Sequence, residues 1–317
     1  MLASDESNFL ASFPVAGVLG HDIGYSLSPM LHAAAERASG RECDYQVFDI
    51  PPENLRGWLI NAGSIDGIIG FNVTTPHKED LARYLNAIHD SARQVGAVNT
   101  VAIRGGHLIG YNTDRPALQR VFRSAVMEEI HPSEGWTMVL MGAGGAARAS
   151  VWAALDAGIL KHLVVMSRNE NRVHAMKNDF YVDFTRKGTT FSWHRWQDWA
   201  TLYTEHPSIL VNATPIGTDY QTWEGASDFF DISSSKLEMF DIVIDLVYNP
   251  PETALVRKAT EAGRTAVGGG GMLIEQAVLS RSIWFGEGEE EKERAAMVAA
   301  YSSWARKTAE STGGKSS

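Results

Sequence analysis

The sequence predicts an α/β protein of two domains. Three observations carry the prediction. Strand-length apolar runs alternate with amphipathic helical stretches in the first third, which implies a parallel sheet with helices on its faces. The alternation breaks at a glycine-centred hairpin and restarts around residue 136. The length, 317 residues, also suits two domains better than one.

The elements follow in order. "PVAGVLG" (14–20) reads as a buried strand, and "SPMLHAAAERASG" (28–40) as a helix with Pro29 at its start and Gly40 past its end. "DYQVFDI" (44–50) is a strand, "PENLRGWLINAG" (52–63) a helix, and "IDGIIGFNV" (65–73) a strand. Pro76 suits the first turn of a helix, with Thr74 or Thr75 as its cap, and this puts Lys78 at a helix N-terminus. "AVNTVAIRGGHLIGYN" (97–112) reads as a hairpin, because both central residues of a type I′ turn need positive φ and Gly105-Gly106 supplies them. A helix over 116–130 leads to a strand at 136–144, a helix to about 157, a strand at 162–167 and another helix. Strands at 208–214 and 240–250 flank a predicted loop over 219–239. Helices from Met272 and over 291–310 close the chain before a frayed "STGGKSS". The spacing of Trp193, Trp196 and Trp199 predicts one packed helix face.

Composition narrows the function. Apolar residues make up 44% and charged residues 21%, enough for a real core. The net charge of −10, without a basic run, argues against nucleic acid as partner. Cys43 is the only cysteine, so no intrachain disulfide forms and a reducing, cytoplasmic setting is expected. The start has no apolar signal region, and no run is long enough to span a membrane. His and Cys spacings predict no metal site.

A cofactor site is legible at "VLMGAGGAARA" (139–149), which leaves a strand and opens a helix. Gly142, Gly144 and Ala147 fit G-x-G-x-x-A, so the loop Gly142, Ala143, Gly144, Gly145 and Ala146 would cradle a pyrophosphate at a helix N-terminus. The plain alternative is a glycine-rich packing turn. The next strand ends in Ser167, Arg168 and Asn169, with Arg172 one turn on. Guanidiniums there suit a 2′-phosphate, hence NADP, with NAD as second choice.

Seven motifs then occur in order. "GHDIGYSLSPMLH" (20–32), "NVTTPHK" (72–78), "GAVNT" (96–100) and "GYNTD" (110–114) precede the glycine loop. "VNATPIGT" (211–218), "DLVYNPPETAL" (245–255) and "GGGGMLIEQA" (268–277) follow it. Together they resemble the shikimate dehydrogenase family over residues 14 to 285. The resemblance implies an N-terminal α/β substrate domain, an NADP-binding Rossmann domain, and C-terminal helices returning to the first. The corresponding division is 1–114 with 273–317, and 115–272. The implied reaction interconverts shikimate and 3-dehydroshikimate with NADP. Lys78 and Asp114 match the catalytic pair. Ser26 and Ser28 match the carboxylate clamp, and Asn72, Thr74, Asn99, Tyr248 and Gln276 the ring contacts. Thr214, Thr218, Val247 and Gly269 match the remaining cofactor positions, Gly269 beside the nicotinamide. A helix N-terminus would lower the pKa of Lys78, and Asp114 would raise it again.

Each residue also has a plainer role open to it. Lys78 alone would be a surface lysine, Asp114 and Ser28 N-caps, and Gln276 an exposed helical residue. The chain departs from the family at His21-Asp22, Tyr25, Arg115-Pro116, Thr218 and Glu275, and none of these removes a catalytic group. Two other functions stand beside the first: a quinate or dual quinate/shikimate dehydrogenase, often NAD-linked, and a non-catalytic sensor. Intact Ser28 and Thr74 lean toward shikimate, and retention of Lys78 with Asp114 argues against a sensor. The substrate is a small molecule in each case, and the protein is expected as a monomer or homodimer.

Overall fold

The structure, a computed structural model, describes residues 14–64, 67–78, 80–127, 135–204, 206–218 and 233–313. Two six-stranded sheets organise them. The first holds β1 (Val15–Gly20), β2 (Asp44–Asp49), β3 (Gly70–Val73), β4 (Ala87–Ile88), β5 (Thr100–Arg104) and β6 (His107–Tyr111), in the order β2-β1-β3-β5-β6-β4. Helices α1 (Ser28–Ser39) and α2 (Leu55–Ala62) make the two crossovers that keep β2, β1 and β3 parallel. The hairpin β5–β6 then pairs antiparallel, so this sheet is mixed. Gly105 and Gly106 both take positive φ at its turn, as a type I′ geometry demands. The short β4 and α3 (Asp90–Val95) have no signal in the hydrophobic period and emerge only here.

The second sheet is wholly parallel: β7 (Trp136–Met141), β8 (Leu160–Met166), β9 (Thr190–His194), β10 (Ser208–Asn212), β11 (Ile242–Asp245) and β12 (Thr265–Val267). Its order, β12-β11-β10-β7-β8-β9, reverses direction between β7 and β10. That switch point is where a doubly wound sheet opens a crevice for a ligand. Helices α4 (Asp114–Met127), α5 (Gly145–Asp156), α6 (Glu170–Asp179), α7 (Tyr181–Lys187), α8 (Ser234–Leu237) and α9 (Ala254–Glu261) accompany it. Leu118, Phe122, Ala147, Val151 and Phe180 bury one face, and Phe240, Leu237 and Leu255 the other. Buried on both faces, the central strands are continuous apolar runs rather than alternating ones.

Two last helices, α10 (Gly270–Phe285) and α11 (Glu290–Gly313), lead back to the first sheet. Helix α11 lies along α1, and Trp284 of α10 donates its indole N–H to Val101 O of β5 at 3.0 Å. Arg281 and Glu293, 1% and 0% exposed, pair at 2.9 Å between these helices.

Several expectations are corrected. No helix starts at Pro76: residues 74–78 make a turn, and the nearest helical turn is a 3₁₀ segment, Leu81–Tyr84. The reason is long-range, because Lys78 O accepts the N–H of Val98 at 2.9 Å and is not free for a helical partner. The three tryptophans share no helix. Trp193 lies on β9, while Trp196 and Trp199 start a 3₁₀ helix (Trp196–Thr201) beyond it. Of the predicted strand over 65–73, residues 65 and 66 lie outside the described residues, and among the others the strand runs from Gly70 to Val73. Ser234–Leu237 are helical within the predicted loop. Residues 219–232 of that loop, the start of the chain, 128–130 and the last four residues of the tail lie outside the described residues.

Candidate active site

Two cavities meet between the sheets. The smaller, about 170 Å³, is lined by Ser26, Ser28, Asn72, Thr74, Lys78, Asp114, Tyr248, Gly269 and Gln276, together with Tyr25 and Met272. The larger, about 540 Å³, is lined by Gly142 to Ala146, Ser167, Arg168, Asn169, Arg172, Thr214 and, unforeseen, Trp196. Thr74, Lys78 and Ala146 face both. Thr218 and Val247 line neither, and the N–H of Val247 is donated to Asp245 Oδ1 at 3.1 Å. Gly269 faces the smaller cavity, under Leu246 O so closely that a Cβ would come within 2.4 Å of it.

Lys78 Nζ donates to Asp114 Oδ2 at 2.7 Å at this junction. The lysine side chain keeps 25% of its surface exposed and the aspartate side chain only 4%. Lys78 follows β3 in the turn described above, so it does not sit at the N-terminus of a helix of its own. Asp114 is the first residue of α4, yet its carboxylate does not cap that helix. Asn112 Oδ1 takes the Arg115 N–H at 3.0 Å instead, which leaves both Asp114 oxygens for Lys78 and Asn99. Ser28 likewise opens α1 without capping it, and its own N–H points to Ser26 Oγ at 3.3 Å.

Asn99 reaches the site through Asp114 rather than by lining the cavity. Its Nδ2 donates to Asp114 Oδ1 at 2.7 Å and to Thr113 Oγ1 at 2.8 Å. Asn72 Nδ2 donates to Ser280 Oγ at 2.7 Å and Thr100 Oγ1 at 3.2 Å, and its Oδ1 accepts from Tyr45 Oη at 2.8 Å. With both its amide protons engaged, Asn72, the one of the two that lines the cavity, presents only acceptor capacity to a ligand. Tyr45, Thr100, Thr113 and Ser280 therefore orient the site. Thr100 and Thr113 fall inside the motifs "GAVNT" and "GYNTD" without a role assigned to them there, while Tyr45 and Ser280 lie outside every quoted motif.

Two family departures turn away from the cavity. Arg115 grips Asp156 of α5 at 2.7 and 2.9 Å. Glu275 bridges Arg120 and Arg294 (2.6 Å to the latter); burial pushes its carboxyl up, but the two arginines hold it below the usual range. Tyr25 remains at the cavity wall.

The larger cavity fits a dinucleotide. Gly142 sits at φ 105°, and a Cβ there would come within 3.1 Å of Ala213 O. Gly144 caps α5 without a side-chain bond, so the first-turn N–H groups are offered to an anion. At the end of β8, Asn169 Oδ1 caps α6 through the Arg172 N–H, and Ser167 Oγ accepts the Asn169 N–H. No carboxylate occupies 167–169. Among the described residues, no group of His, Cys, Asp and Glu could hold a metal ion, and no helix is long and apolar enough to cross a membrane.

Comparison with known proteins agrees with this geometry. Residues 18–101 match the family model of the shikimate dehydrogenase substrate binding domain. Over 276 residues the chain is 34% identical to the shikimate dehydrogenase (NADP⁺) of Methanocaldococcus jannaschii, a span covering 87% of this chain and 93% of that protein. A crystal structure of a shikimate dehydrogenase in complex with NADP⁺ superposes with a TM-score of 0.72 at 33% identity, over 91% of this chain and 96% of that one. The Thermus thermophilus enzyme, solved with NADP(H) and shikimate, gives 0.68 at 30% identity, over 91% and 100%.

Proposed function

Because the chain belongs to the shikimate dehydrogenase family, we propose that it interconverts shikimate and 3-dehydroshikimate with NADP. The observation that carries this is the Lys78–Asp114 pair, set where a small polar cavity opens into a dinucleotide-sized one. Shikimate is a small acid rich in hydroxyls, and the smaller cavity supplies hydroxyls and amides for it.

In the proposed reaction, Ser26 and Ser28 hold the carboxylate with their hydroxyls. The acceptor oxygen of Asn72 takes a hydrogen bond from the ring, and Thr74, Tyr248 and Gln276 complete the wall. When bound, the nicotinamide supplies the hydride acceptor. Lys78 takes the proton of the hydroxyl being oxidised and returns it in the reverse direction. Asp114 orients Lys78 and balances the charge that appears there. Asn99 holds the second oxygen of Asp114, so the carboxylate cannot rotate away. The glycine loop receives the pyrophosphate, and Ser167, Arg168 and Arg172 receive the 2′-phosphate.

The single cysteine and the net charge of −10 support a reducing, cytoplasmic setting and a small-molecule substrate rather than nucleic acid. The proposed state is a monomer or homodimer, with 1–114 and 273–317 as the substrate-binding unit and 115–272 as the cofactor unit. Initial rates for shikimate and quinate, each with NADP and NAD, test the proposal. Shikimate with NADP should be fastest, and faster turnover of quinate, or none of shikimate, overturns it.

A further inference from the structure

Trp196 belongs to no family motif quoted above, yet it lines the larger cavity beside Ser167, Arg168 and Arg172. The Arg168 guanidinium carbon lies 5.7 Å from the centre of the Trp196 ring, within cation–π range. The backbone holds the two side chains in register. Ser167 N–H donates to His194 O at 3.2 Å, which ties the end of β9 to the strand end that carries Arg168. Trp193 Nε1 reaches Ser167 O at 3.4 Å from the same strand. Asp198 Oδ2 then accepts the Arg195 N–H at 3.0 Å and fixes the turn in which Trp196 begins its 3₁₀ helix.

A guanidinium uses its face and its edge for different partners. Its N–H donors lie in the plane and fan out from the edge in several directions, while an aromatic ring supplies no oxygen acceptor to compete for them. A ring beside Arg168 thus restricts the side chain and leaves the guanidinium fork suited to a phosphate. We infer that Trp196 is a positioning residue for cofactor choice: it holds Arg168 where the guanidinium edge meets the 2′-phosphate. The inference rests on the NADP reading above, and it makes the Trp196 contribution visible only on a ligand that carries that phosphate.

Two probes that differ by one phosphate separate the possibilities: adenosine 2′,5′-bisphosphate and adenosine 5′-monophosphate, each titrated calorimetrically into the full chain. Trp196→Leu should weaken the bisphosphate about 2- to 5-fold, the affinity equivalent of an exposed cation–π contact of roughly 0.5–1 kcal/mol. The monophosphate should be unaffected. Trp196→Phe, which keeps a weaker ring face, should recover part of the loss and serves if the leucine variant folds poorly. In an Arg168→Ala background, Trp196→Leu should have no further effect on the preference. Equal losses on both probes would make Trp196 a shelf for adenine and overturn the inference, as would no loss on either. A wild-type chain that binds both probes equally would instead overturn the NADP reading itself.

Discussion

Asp114→Asn looks conservative and should not be. The two carboxylate oxygens are each committed to a donor, Oδ2 to Lys78 Nζ at 2.7 Å and Oδ1 to Asn99 Nδ2 at 2.7 Å. An amide keeps one oxygen and replaces the other with an N–H₂ donor. Whichever way it turns, that donor faces another donor, either the ammonium or the Asn99 amide. Asn99 has no freedom to adapt, since its Oδ1 already accepts the Thr113 N–H at 2.8 Å. The residue is 3% exposed, so water has little room to mediate. Leaving a buried donor unsatisfied costs roughly 1–3 kcal/mol of stability. The larger loss should fall on the chemistry, because Lys78 loses its orienting charge. kcat should drop by about 10²- to 10⁴-fold, the usual contribution of a positioned acid–base group. KM for shikimate should change far less, as the Ser26 and Ser28 hydroxyls are untouched. The assay is the initial rate of NADP reduction across shikimate concentrations, with a denaturant titration of the same preparation. An Asp114→Asn enzyme with wild-type kcat would refute both the pairing and the donor-conflict reasoning.

Further outcomes follow from other parts of the site. Ser26→Ala and Ser28→Ala should each raise KM for the acid with little change in kcat, by a hydrogen bond to a charge of on the order of 1.5–3 kcal/mol; unchanged KM in both would place the clamp elsewhere. Arg168→Ala should erase most of an NADP preference of at least about tenfold in kcat/KM by harming NADP and sparing NAD, and equal losses would show that Arg168 does not read the phosphate. His32 should make the fold acid-sensitive. Burial holds its pKa well below the usual value, with the nearby Arg281 charge adding to the effect, and the ring stacks on Tyr45 at 3.9 Å. The fold therefore favours neutral His32, so its contribution is complete above the unfolded pKa of about 6.5 and is lost as pH falls below it, by up to about 1.4 kcal/mol per pH unit. Asp245, pushed up to about 6 by burial, has the opposite sign between its unfolded value and that pH. The measurement is therefore the difference in unfolding free energy between wild type and His32→Asn from pH 7 to 5, and parallel curves would show that His32 does not titrate on unfolding.

Much of the molecule is legible locally. Apolar period, Pro29 and Gly40 around α1, and paired glycines at residues 105 and 106 depend only on neighbours in the chain, so they mark strands, helices and a hairpin without any fold. The glycine loop is readable for the same reason: its spacing is a local geometric demand of strand, turn and helix. The motif order along the chain names many of the residues that line the two cavities, though Trp196 lies outside it and Asn99, Thr218 and Val247 line neither. What escaped depends on partners far away in sequence. Pro76 and the threonines before it carry every local sign of a helix start. Val98, twenty residues on, takes the Lys78 carbonyl and makes the segment a turn. The tryptophans at three-residue spacing satisfy a helical period, but strand pairing with β8 holds Trp193 on β9 and the chain turns at Arg195.

Residue order alone thus establishes which chemical groups exist and roughly which element carries each. Packing in three dimensions selects which of their atoms remain available. Asp114 could have capped α4, and Asn112 does so instead, which frees the carboxylate for Lys78. Asn72 could have donated to a ligand, but Ser280 and Thr100 take its amide protons and leave its oxygen facing the site, while Asn99 is spent on Thr113 and Asp114. The physical reason is that a buried polar group must be satisfied, and its partners are chosen by proximity in space, which local sequence spacing does not encode.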